Sequence, residues 1–119
     1  MRNNNLKFTD TTLVVEPLGL DKIWSRKGSI DIPWEHVRGA THDPGMKNEP
    51  KGFRFPGLRM GEKLAGTFHS NGETLFWNVS GFENTVVIEL KDEEFDRLVI
   101  TVDDPVTAVE RINGLASAK

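Results

Sequence analysis

Alternation at period two is the feature that most constrains this chain. Leu13 and Val15 alternate with Val14 and Glu16, and Ile30, Ile32 and Trp34 with Ser29, Asp31 and Pro33. The same rhythm runs through Leu64–Phe68, Leu75–Val79, Val86–Leu90 and Leu98–Val102. Successive side chains on a strand point to opposite sides, so this pattern belongs to sheets with one buried face. Turn chemistry separates the runs: Lys27-Gly28, Asn71-Gly72, residues 81–84 and residues 92–96. Asn-Gly favours a two-residue hairpin, since both positions tolerate positive φ. Links this short join antiparallel neighbours, so the reading is an antiparallel meander without crossovers.

The rhythm changes near the end. Asp103-Asp104-Pro105 opens a helix: an Asp at the N-cap accepts from free amides, and Pro at the first helical position gives up nothing. Val106, Val109, Ile112 and Ala116 then recur at helical spacing, predicting one helix over 105–117 laid on the sheet. Residues 1–11 read as an N-terminal arm and 12–119 as a single domain, a fitting size for one core. Residues 42–62 are punctuated by Pro44, Pro50 and Pro56 and by four glycines, which excludes one continuous regular element.

Together these features resemble the pleckstrin-homology fold, six or seven short antiparallel strands closed by a C-terminal helix. The stretches Ile32-Pro33-Trp34-Glu35-His36-Val37, Arg54-Phe55-Pro56-Gly57-Leu58 followed by Gly66-Thr67-Phe68, Phe76-Trp77, and Leu98 to Pro105 resemble bacterial pleckstrin-homology-like proteins. The resemblance implies a bent antiparallel sandwich or partly open barrel over residues 12–117. In a eukaryotic branch it implies phosphoinositide binding by basic residues of the first hairpin. Lys22, Arg26 and Lys27 occupy that region here, without the basic-x-Arg ending of that signature.

Composition narrows the chemistry. The chain has no cysteine, hence no disulfide, thiol nucleophile or thiolate metal site. No apolar run approaches the ~18 residues that span a bilayer, and Met1 to Lys7 lack the apolar stretch of a secretion signal, so a cytoplasmic location is expected. The net charge of −3 divides into +3 over residues 1–60 and −6 over 61–119. Overall acidity argues against nucleic acid, whose phosphates need clustered Lys and Arg. His36, His42 and His69 show no metal-ligand spacing, the acidic turn 92–96 lacks a calcium-loop pattern, and no serine lies in a nucleophile elbow. No catalytic residue, cofactor or metal is therefore expected.

What remains is the basic, aromatic stretch. Lys51, Phe53, Arg54, Phe55 and Arg59 combine cations with rings, a surface suited to a protein partner or to a second copy of the chain. An exposed sheet edge offers a related route, strand addition. The alternative is a peripheral domain that meets anionic lipid through Lys22, Arg26 and Lys27.

Overall fold

A computed structural model describes residues 4–17, 29–42, 53–60, 63–70, 72–80 and 84–118, excepting the side chains of 17, 53–60, 63–65, 70 and 80. Among the described residues nine strands come first: β1 Asn4–Phe8, β2 Thr12–Pro17, β3 Ile30–Pro33, β4 Val37–His42, β5 Phe53–Met60, β6 Lys63–Ser70, β7 Glu73–Ser80, β8 Thr85–Leu90 and β9 Arg97–Thr101. Helix α1, Pro105–Ser117, closes the chain. The fold is all-β with one C-terminal helix. A three-stranded sheet runs β1-β2-β3, and a six-stranded sheet runs β4-β8-β9-β7-β6-β5.

The main core lies between the two sheets and under α1. Leu13 and Val15 of β2 and Ile30 and Ile32 of β3 meet Phe76, Val86, Ile88, Leu90, Leu98 and Ile100 of the larger sheet, with Trp34 beside them. Phe68, Leu75, Trp77, Val79, Val87 and Val99 form a second buried cluster among strands β6–β9. Strands β7, β8 and β9 therefore contribute alternate residues to two clusters. Truncating a fully buried leucine such as Leu98 to alanine costs about 2–5 kcal/mol in such settings.

Two-sided burial bears on a correction. The expected meander places β8 beside β7; instead β9 lies between them, parallel to β7 and antiparallel to β8. A strand buried on both faces belongs in the sheet interior, and β9 sends Leu98 and Ile100 to one cluster and Val99 to the other. Period two reports where a side chain points, not which strand lies alongside. The expectation of residues 1–11 as an arm is corrected too, because residues 4–8 form β1, paired to β2 from Asn4/Pro17 to Phe8/Leu13.

Local chemistry fixes several joints. Thr9 Oγ1 accepts from the Thr12 amide (2.8 Å) in the β1–β2 turn, and the Thr9 carbonyl accepts from Trp34 Nε1 (2.9 Å). In β4 the register against β8 shifts by one residue between Val37 and Gly39. That bulge lets Val37 and Ala40, three apart, both face the core. At α1 the Asp104 carboxylate accepts from the Thr107 amide (3.2 Å) and hydroxyl (2.8 Å), with Pro105 following as expected. The buried stripe is rotated from the predicted one: Pro105, Ala108 and Ile112 are buried, while Val106 is 57% exposed.

Candidate functional site

Of the residues singled out by sequence, Phe53, Arg54, Phe55 and Arg59 fall on one strand, β5, and that strand is outermost in the larger sheet. Phe53 pairs with His69, Arg54 with Phe68 and Arg59 with Leu64. Between Arg54 and Gly57 the register shifts by one residue, at the Phe55-Pro56 step. Pro56 has no N–H to donate, and proline in a sheet is confined to edges and bulges, so its position agrees with an edge strand. Lys51, and the alternative set Lys22, Arg26 and Lys27, lie outside the described residues.

The opposite edge of the same sheet, β4, is capped at Ala40. Asn113 of α1 accepts from the Ala40 amide (2.8 Å) and donates to the Ala40 carbonyl (3.0 Å), so its carboxamide stands where a neighbouring strand would be. Gly39 admits this approach, since a Cβ there would sit 3.3 Å from Asn113 Oδ1. The sheet thus has one edge stapled by its own helix and one formed by β5.

A groove lies at the small sheet, between β1 and the first turns of α1. It encloses about 180 Å³ and is lined by Leu6, Phe8, Val102 and Ala108, with Asn5, Asp103, Asp104, Thr107 and Arg111 among its polar walls. Phe8 anchors one end: its ring stacks on Trp34 (centroids 6.3 Å apart, planes at 10°), and the Arg111 guanidinium lies 4.0 Å above it. At the other end the Thr107 hydroxyl, then its amide, hold the Asp104 carboxyl below the usual carboxylate range, although the group is exposed. Period two is present in Asn5-Leu6-Lys7-Phe8, but the run Asn3-Asn4-Asn5 gives this stretch the look of a solvated arm.

Compared with known proteins, the chain matches no family model, no curated sequence and no solved structure.

His36 and His69 make structural contacts. His36 Nδ1 lies 2.5 Å from Glu93 Oε2, tying the short 3-10 turn Trp34–His36 to the β8–β9 connection. His69 Nδ1 lies 3.2 Å from the Thr74 hydroxyl across the β6–β7 hairpin. In the acidic turn Phe95 is buried against Phe76 (centroids 5.5 Å apart) while Asp92 and Glu94 are exposed. Among the described residues no three His, Asp or Glu side chains gather as a metal site. No helix there is long and apolar enough to cross a membrane.

Proposed function

We propose that this chain is a non-catalytic interaction module that binds a partner protein, or a second copy of itself, along the outer edge of β5. One observation carries the reading: four of the five residues chosen for their cation and ring content lie on β5, one of the two strands that end the six-stranded sheet among the described residues, while the other, β4, is capped at Ala40 by Asn113. An edge strand offers a row of peptide groups to an incoming strand, and alternating side chains choose among partners. Pro56 and the register shift beside it divide that row, so an added strand pairs with Phe53–Phe55 or with Gly57–Met60, not with both in one ladder.

A pleckstrin-homology-like ancestry belongs to the same proposal. The all-β body with its C-terminal helix on the larger sheet supports it. The parallel β7–β9 pair and the ninth strand are departures from the shape that the resemblance implies.

Sedimentation velocity over a wide concentration range tests self-association. A mass above the monomer that falls on dilution, and is lost in Phe53→Asp, supports pairing of copies; monomer throughout leaves only a different protein as partner. Co-sedimentation with neutral and anionic vesicles tests the other class. Retention on anionic lipid at physiological salt, abolished by Lys22→Glu with Lys27→Glu, would replace the protein-binding reading with the lipid one.

A further inference from the structure

The groove beside β1 lies on the other sheet and does not depend on the reading of β5. Its ligand class follows from size and from the backbone that borders it. At about 180 Å³ it is smaller than the ~300–1,000 Å³ of pockets that enclose a drug-sized molecule. An extended chain is the form that β1 is built to receive. The Thr9 amide donates to the Thr12 carbonyl (3.0 Å), which sets Thr9/Thr12 as a hydrogen-bonded pair of the hairpin. Counting back along the register, Lys7/Val14 and Asn5/Glu16 exchange ladder bonds, so the peptide groups of Leu6 and Phe8 point away from β2. β1 ends its sheet, and no strand among the described residues takes up those groups.

The side chains that belong to those two residues line the groove with Val102 and Ala108. Peptide groups that no strand among the described residues takes up therefore stand beside an apolar floor, the pairing that strand addition uses: main-chain bonds hold the ligand, and alternate side chains fill the groove. Charge selects the ligand further. Asp104 stands at the α1 end, while Arg111, the lining cation among the described residues, is drawn over Phe8.

We propose that the β1–α1 groove binds an extended segment of a partner protein as a fourth strand of the small sheet, with apolar residues at alternate positions and a Lys or Arg beside Asp104. The main-chain bonds form at Leu6 and Phe8.

The test is an NMR titration of the isotope-labelled full chain with a synthetic peptide of about eight residues alternating valine with threonine and lysine. The Leu6 and Phe8 amides shift and gain protection from exchange. Replacing the peptide lysines by glutamate, or Asp104→Asn in the protein, weakens binding about tenfold, the scale of one charge-assisted hydrogen bond. Asn is itself a good N-cap, so that variant keeps α1 intact. N-methylation of alternate peptide amides abolishes binding. The proposal is overturned if no binding occurs up to about 1 mM, a free energy near −4 kcal/mol by the affinity scale. It is equally overturned if the N-methylated peptide binds as well, or if the shifts fall away from β1. Leu6 and Phe8 amides that shift on simple dilution, without peptide, would assign the groove to a second copy and remove the partner segment.

Discussion

Asn4 is the residue on which the two sheets are joined. It is 1% exposed, and its amide donates to the carbonyls of Asn78 (3.0 Å) and Thr101 (2.9 Å) while its oxygen accepts from Asn78 Nδ2 (2.8 Å). The parallel β7–β9 ladder ends at Asn78/Ile100, so a side chain from β1 caps carbonyls where that ladder stops. Asn4→Leu keeps the bulk but leaves buried polar groups without these partners, a loss of about 2–4 kcal/mol read as a lower urea midpoint. Thr85 is the opposite case. It is wholly buried, and its hydroxyl has no hydrogen-bond partner among the described residues. Thr85→Val replaces a desolvated hydroxyl with a methyl group of the same shape, and stability rises by about 1 kcal/mol in the same titration. If the valine variant is less stable, the hydroxyl has a partner, and the account of this corner of the core is wrong.

At the scale of elements, caps and edges decide more than propensity does. The Asp104 carboxyl is held below 3.8 by the Thr107 hydroxyl and amide, so folding favours its ionised form. A depressed folded value gives stability that is present above the unfolded pKa and disappears as pH falls through the folded one. Asp104→Ala therefore lowers the melting temperature at neutral pH, and the gap between variant and parent closes in acid below that lowered pKa. A gap that persists at low pH would assign the effect to the backbone instead. Asn113 does comparable service for β4. Asn113→Leu leaves the Ala40 amide and carbonyl without their partner, costs about 1–3 kcal/mol, and opens a second edge to pairing. Light scattering should then show more association on heating than in the parent chain. The helix was legible in the sequence because Asp104-Pro105 and an apolar stripe are local signals. Asn113 was not, since a carboxamide on a helix looks like any solvated polar residue until a strand edge is placed beside it. The bulge at Arg38 was equally hidden, because the three-residue step from Val37 to Ala40 breaks the very alternation that reveals strands.

At the scale of the molecule, alternation marked six of the nine described strands and the side of each that is buried, but neither the full strand count nor the closure of the fold. β1 ties the chain's start to its end: the Asn4 bonds span 74 and 97 residues of sequence. Nothing local in Asn4-Asn5-Leu6-Lys7-Phe8 could report that, and the same blindness hid both the groove and the parallel pair. The difference between an arm and a strand is measurable. Removing residues 1–9 takes away the Asn4 cluster, the packing of Leu6 and Phe8 on the core, the Phe8–Trp34 stack and the carbonyl that holds Trp34 Nε1. The Asn4 cluster contributes about 2–4 kcal/mol, and two partly buried apolar side chains roughly 1–2 kcal/mol each. Against a whole stability of about 5–15 kcal/mol for a domain, a loss of about 4–8 kcal/mol takes most of it at the lower end and about half at the upper. The shortened chain should lose its near-ultraviolet circular dichroism and its cooperative melt, although Leu13, Val15 and the rest of the main core are still encoded. An arm would leave both unchanged, and that result would detach β1 from the fold and with it the groove proposed as a peptide site. Loss of the melt, with the point variant Asn4→Leu falling part of the way, would show that the first strand completes the molecule and that the edge it presents beside α1 belongs to the folded state.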